Sequence, residues 1–263
     1  MKKSIATAVF LGSLTMSGVA NAFSVGTQNL YHYKTRLEER KTHLAQEIAG
    51  TSFPEIVGFQ EAARWVGTEH LFDSFVRLTH YTGIYKSTNN FLVMNDGVAL
   101  VSKLPARNLR SLSLPNTKPF SNQAINIGFF TTSSGEEVAV INAHLIPSSD
   151  GRTRRISQVE FILSEAAKID LPLVIMGDLN DGFRAESTQK FIQAGFKEVM
   201  SGEGATYVPD ENPLVTDHRF GPSRLDYIFY RPEKLKVVSA GLMFTRNWVS
   251  DHYGLRAEFE INH

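Results

Sequence analysis

Polar and acid-rich residues stand where the apolar runs of this sequence stop or begin. Asn29 closes one run, Gln60-Glu61 the next, His144 sits near the end of another, and Asp178-Leu179-Asn180 follows a fourth. Asp226 starts one more, and Asp251-His252 precede the last. Carboxylates, amides and imidazoles of this kind carry acid–base chemistry and bind cations. With no cysteine among 263 residues, disulfides, thiol nucleophiles, thiolate zinc sites and cysteine-ligated iron–sulfur clusters are excluded, so any metal is held by oxygen or imidazole.

Singly, each group also has a structural reading. Gly177-Asp178-Leu179-Asn180 suits a turn, because Gly, Asp and Asn tolerate positive φ. Ser250-Asp251-His252 suits a strand-entry turn, and His144 a satisfied core or surface histidine. Asp226 resists such a reading, since a carboxylate within an apolar run is costly unless a cation or donor meets it. Arg224 is the structural candidate for that partner.

The elements that must position these groups follow from the apolar pattern. Short runs rich in Val, Ile and Phe predict strands at 24–30, 56–60, 97–102, 124–131, 138–145, 173–177, 225–230, 235–242 and 254–261. Helical spacing predicts helices at 35–50, 154–167 and 187–194, the first ended by Gly50 and the third by Gly195. Mixed hairpins and crossovers imply a layered α/β or α+β sandwich, and acid-rich strand ends are favourably sited to converge in one pocket at a sheet edge.

Taken in order, the motifs resemble the endonuclease/exonuclease/phosphatase superfamily, the deoxyribonuclease I-like fold. The matching segments are Thr27-Gln28-Asn29-Leu30, Pro54-Glu55-Ile56-Val57-Gly58-Phe59-Gln60-Glu61, Gly97-Val98-Ala99-Leu100-Val101-Ser102, Asn142-Ala143-His144-Leu145, Met176-Gly177-Asp178-Leu179-Asn180, Arg224-Leu225-Asp226-Tyr227-Ile228-Phe229-Tyr230 and Ser250-Asp251-His252-Tyr253. The resemblance implies a four-layer α/β/β/α sandwich of two mainly antiparallel sheets with the site at one edge. It implies hydrolysis of a phosphate ester with a hard cation, Mg²⁺ or in its place Mn²⁺ or Ca²⁺. By the family pattern Glu61 and Asn29 hold the metal, with Asp251 supporting it or the His252 side. His252 is the general base for water, oriented by Asp226. Asp178 and Asn180 position water and phosphate, and His144 binds or protonates a phosphate oxygen. Arg155 and Gln158 resemble an Arg-x-x-Gln helix motif expected to bind phosphate or substrate.

Motif variants narrow the branch. His144 resembles the deoxyribonuclease I, sphingomyelinase and inositol-phosphatase branches and sets the chain apart from abasic-site endonucleases. Arg224-Leu225-Asp226-Tyr227 departs from the Trp-rich signature of inositol polyphosphate 5-phosphatases. The absence of any Glu between Glu69 and Glu136 departs from deoxyribonuclease I itself. Nucleic acid and phospholipid remain the main substrate classes. Lys103, Arg107, Arg110 and Lys118, with Arg152, Arg154 and Arg155, suit the first. Phe120, Phe129 and Phe130 on a hairpin meeting a bilayer suit the second. Inositol phosphates or phosphoinositides cleaved as monoesters are an alternative, and a non-catalytic exported binding protein on the same scaffold is a further one.

Composition agrees with a soluble globular chain: 42% hydrophobic, 21% charged, 27 Lys+Arg against 27 Asp+Glu. No global field draws it to nucleic acid or anionic lipid. Lys2-Lys3, an uncharged stretch from Ile5 to Val19 and Ala20-Asn21-Ala22 have the pattern of a cleaved bacterial signal peptide, residues 1–22. Residues 23–263 are then a single domain, expected to be a monomer in the periplasm or outside the cell. No later segment is apolar and long enough to cross a membrane as a helix.

Overall fold

The computed structural model describes residues 22–50, 53–117, 122–147, 151–218 and 221–263. Residues 1–21, all but the last of the expected signal segment, lie outside the described residues together with Lys118 and Phe120. Two units of the same build make the centre. In the first, β1 (Ala22–Asn29) runs through α1 (Leu37–Ile48) into β2 (Ile56–Gln60), and the two strands pair in parallel. In the second, β8 (Glu137–His144) runs through α3 (Arg152–Ala166) into β9 (Leu173–Asp178), again parallel. These strands are buried almost throughout, which is why they read as continuous apolar runs.

Antiparallel strands flank each unit. The first sheet adds β3 (Arg64–Trp65), β4 (Thr82–Asn90), β5 (Met94–Ser102), β12 (Leu235–Met243) and β13 (Gly254–Ile261) in the order β12-β13-β1-β2-β5-β3, with β4 also on β5. The second adds β6 (Ala106–Ser113), β7 (Ala124–Thr131), β10 (Lys197–Glu198) and β11 (Asp226–Tyr230) in the order β10-β11-β9-β8-β7-β6. Val25, Ile56 and Leu100 from one sheet meet Val140, Val174 and Ile228 from the other. Leu44 of α1 and Phe72 and Phe75 of α2 (Leu71–Leu78) pack with Val57, Phe59 and Val101 on the outer face of the first sheet. Val159 and Ile162 of α3 and Phe191 of α4 (Glu186–Gln193) cover the second. The result is the expected four-layer α/β/β/α sandwich.

One polar bridge crosses the apolar interlayer. Asn142 on β8 donates to the backbone carbonyls of Phe59 (3.1 Å) and Ala99 (2.9 Å), and accepts from Gln60 Nε2 (2.6 Å). Gly58 makes room for it, because a Cβ there would lie 2.4 Å from Asn142 Oδ1. The two sheets are thus tied face to face beside Glu61, and a buried amide gains the partners it needs.

The structure corrects two readings. Phe130 is buried in the layer between the sheets, and Phe129 packs with the α3-side core under the Arg107 guanidinium. Neither is available to a bilayer. Arg107 pairs with Glu137, Arg110 with Glu165, Arg152 with Glu186 and Arg155 with Asp181, while Arg154 donates to the carbonyls of Asn116 and Thr117. The described arginines of the two expected basic clusters are therefore neutralised or spent on the backbone.

Candidate active site

Sheet register assembles the site. On the second sheet His144 lies opposite Asp178 and Asp178 opposite Asp226, a row across three adjacent strands. On the first, Asn29 lies opposite Gln60, next to Glu61. Asn29 joins the two rows: its Nδ2 donates to Asp178 Oδ2 (2.9 Å) and Glu61 Oε1 (3.2 Å), while its Oδ1 accepts from the Tyr31 N–H (2.9 Å). That orientation gives the expected metal ligand a different local task, aligning two carboxylates with its amide N–H groups.

His252 closes the cleft. Its Nδ1 lies 2.8 Å from Asp226 Oδ2 and 4.0 Å from Asp178 Oδ2. Burial works to lower its pKa, yet the charges of Asp226 and Asp178 and the hydrogen bond outweigh it and hold the imidazole well above its ordinary value. Nδ1 being committed, Nε2 is the nitrogen left to exchange a proton with substrate or water. Gln28 Nε2 donates to the His252 carbonyl (3.0 Å), and the Tyr207 ring stands edge-on to the imidazole. Arg224 does not pair with the Asp226 carboxylate: its Nη2 meets Glu198 (2.7 Å) and its Nε donates to the Asp226 carbonyl (2.6 Å).

Asp178 accepts from the Asn180 N–H (2.8 Å), and Asn180, at φ 51°, ties its amide to the Leu145 carbonyl (2.9 Å). The Gly-Asp-x-Asn turn and the catalytic reading thus coexist. Burial and the neighbouring Asp226 charge push the Asp178 carboxyl above its usual range. His144 Nε2 stands 3.7 Å from Asp178 Oδ2, and among the described residues neither it nor the buried Asp226 Oδ1 finds a hydrogen-bond partner.

Glu61 (φ 48°) is gripped by residues the motif reading passed over. His32 presents Nδ1 at 2.6 Å and its backbone N–H at 3.1 Å to Glu61 Oε2. Burial would raise the Glu61 pKa, but the His32 hydrogen bond and charge hold it below the ordinary carboxylate range. Asp96 lies 3.9 Å from His32, and burial plus the Glu61 charge push it up to about 6. Asp251 accepts from Ser250 Oγ (3.1 Å), and burial raises it to about 6. Arg40 is fully buried and spends its donors on the carbonyls of Leu30, Tyr31, Tyr33, Thr35 and Val249, fixing the loop that carries His32. Its place in the charged run Glu38-Glu39-Arg40-Lys41 looks like solvated helix, so only its α1 position beside Leu37 and Leu44 signals burial.

Arg155 and Gln158 stand apart from this cluster. Arg155 donates to Asp181 (2.9 Å) and the Ile146 carbonyl (3.2 Å), and Gln158 accepts from the Ile146 N–H (3.1 Å) and donates to the Pro115 carbonyl (3.2 Å). Both are buried, and in these contacts they brace the loop behind His144.

A divalent cation fits this donor set. Glu61, Asp96, Asp178, Asp226 and Asp251 crowd one cleft whose buried arginine faces backbone carbonyls, and three of them are pushed toward the neutral form. Asp178, Asp226 and His252 also bring ligand atoms within 4.8 Å of one another. Oxygen-rich, thiol-free donors suit a hard cation.

The structure is similar to that of the human Nocturnin catalytic domain with bound sulfate anion: 23% identity, 92% of this chain and 94% of that chain covered, TM-score 0.72. It is similar to an endonuclease/exonuclease/phosphatase family protein from Leptotrichia buccalis (17%, covering 92% and 100%, TM-score 0.72). It also resembles truncated Caenorhabditis elegans TDP2 (18%, covering 91% and 97%, TM-score 0.69). These likenesses show the fold. No curated protein matches the chain. The family model described as the Endonuclease/Exonuclease/phosphatase family matches residues 26–252, from the strand carrying Asn29 to His252 itself, and the chain belongs to that family.

Proposed function

We propose that this protein is an exported, divalent-cation-dependent phosphodiesterase that hydrolyses its substrate by attack of a water activated at His252. The observation that carries the reading is the Asp226–His252 pair at 2.8 Å, set beside Asp178 and joined through Asn29 to Glu61. A phosphodiester is anionic and repels its nucleophile, so hydrolysis needs neutralised charge, an activated water and a stabilised leaving oxygen. Asp226 fixes the His252 tautomer and stabilises the imidazolium formed when Nε2 takes the proton of water. Asp178 and Asn180 orient the water and phosphate, and the unpartnered His144 Nε2 meets a phosphate oxygen. Glu61, with Asp251 in support, would hold a divalent cation that neutralises phosphate charge, eases departure of the leaving oxygen and lowers the His252 pKa. Export rests on the pattern of residues 1–22.

Phospholipid and nucleic acid are the two substrate classes. The paired arginines weigh against a continuous basic track for nucleic acid. Plasmid DNA, RNA, sphingomyelin, phosphatidylinositol phosphates and bis-p-nitrophenyl phosphate, each with Mg²⁺, Mn²⁺ or Ca²⁺, form the test. Cleavage of at least one diester is expected. Turnover of none would favour the binding-protein alternative, and release of inorganic phosphate from inositol phosphates alone would make the protein a monoesterase.

A further inference from the structure

The β4–β5 hairpin ends in an apolar apex that the fold leaves uncovered. Leu92 is fully exposed, Val93 57% and Phe91 51%. Val66, 75% exposed, joins them through its N–H to the Val93 carbonyl (3.0 Å), and the Phe91 N–H to Met94 carbonyl bond (2.8 Å) closes the turn. Four apolar side chains therefore share one convex tip, a feature soluble monomers rarely present without use.

Register sets the tip at the catalytic end. β5 runs antiparallel to β2, with Ile56 opposite Ser102 and Phe59 opposite Ala99, so the Met94 end of β5 lies beyond Gln60 and Glu61. At about 3.3 Å per residue, Leu92 in the turn stands at most about 13 Å beyond Asp96. Behind the apex lies a collar. Trp65 donates its indole N–H to the His32 carbonyl (3.0 Å) and Lys34 Nζ sits 4.2 Å over the Trp65 ring, while Arg64 turns to Asp73 (3.4 Å) and the Phe72 and Tyr85 rings. No Asp or Glu occurs in residues 89–95 or 64–68.

We propose that this tip is a wedge that docks the catalytic end on a phospholipid bilayer, with Phe91, Leu92, Val93 and Val66 entering the acyl boundary and Trp65 and Lys34 meeting the headgroups. A convex point needs a deformable partner, and a bilayer supplies one without a complementary groove. Tryptophan and a lysine just behind an apolar apex match the headgroup zone, and the lack of carboxylates on the tip itself avoids repulsion from lipid phosphate. The docking deepens the proposed function by choosing membrane phospholipid as the substrate class, but the wedge itself is independent of turnover.

The test uses vesicles of phosphatidylcholine with about one-third phosphatidylglycerol, co-sedimented with the purified protein and with Leu92→Asp/Val93→Asp. Vesicle binding by the wild type, weakened at least about tenfold in the variant while turnover of soluble bis-p-nitrophenyl phosphate stays within about twofold, is the expected result. Vesicle binding without any diester turnover supports the wedge and overturns the phosphodiesterase reading instead. The wedge is overturned by a wild type that ignores vesicles or a variant that binds them equally. It is overturned too by a wild-type dimer in sedimentation that the substitution dissociates, or by DNA retention lost with it.

Discussion

Asp226 and His252 form one unit, so their losses should not multiply. A general base contributes about 10²- to 10⁴-fold, and the carboxylate behind it acts only through that imidazole. His252→Ala should lower kcat by that order, and adding Asp226→Asn should lower it little further. Because the Asp226 charge helps raise the His252 pKa, Asp226→Asn alone should move the alkaline-rising limb of kcat to lower pH while lowering its plateau. Arg224 keeps Glu198 and the Asp226 backbone in that variant, so the fold should persist. Independent, multiplicative losses in a double-mutant cycle would break the pair. At Glu61, Glu61→Gln should raise the divalent cation needed for half-maximal activity at least tenfold or abolish turnover, whereas the wild type should fall silent in EDTA and recover on Mg²⁺ addition. Activity that ignores chelation would remove the cation from the mechanism.

At the scale of elements, the Asn142 bridge ties catalytic geometry to packing. Gly58→Ala forces a Cβ into the Asn142 amide, and overpacking of this kind costs about 1–3 kcal/mol. Chemical denaturation should show that loss, with kcat falling as Gln60 and the adjoining Glu61 shift. A variant with wild-type stability would mean the sheets adjust freely. The same elements show what sequence reveals. Strands buried on both faces, such as β2 and β7, match their apolar runs residue for residue. The strands β4 and β6 were not expected because edges with half-exposed faces carry Lys86, Arg107 and Arg110 and lack an apolar run. The eight-residue α2 is too short to display helical periodicity beyond Leu71, Phe72 and Phe75. Likewise the Asp178, Asp226 and His252 cluster was legible because motifs mark strand ends. His32, Asp96 and Arg40 were not, since their places depend on a loop and on pairings distant in sequence.

Across the whole molecule, the excess of buried carboxylate makes stability depend on pH and on cations together. Asp96 and Asp251, ordinarily ionised above about pH 4, are held to about 6, so the folded state keeps protons that the unfolded state has released between those values. Stability contributed by these groups therefore falls as pH rises through that window, and the penalty is complete above it. His252 adds in the same direction at higher pH: its raised pKa supplies stability that is full below about 6.5 and lost as pH climbs through the folded value. A divalent cation among these charges should reverse the trend, since it binds the folded, deprotonated cleft. The melting temperature in EDTA should thus fall from pH 5 to pH 8, and the increase produced by Mg²⁺ should be larger at pH 8 than at pH 5. Asp96→Asn isolates one contributor, because an asparagine oxygen can still accept the Gly97 N–H now bound by Asp96 Oδ1 (2.8 Å). In EDTA it should gain about 1–3 kcal/mol over wild type at pH 7 and nothing at pH 4. Equal effects at both pH values, or a loss at pH 7, would show that the carboxylate is already compensated within the protein and that the cleft has no charge deficit for a cation to fill.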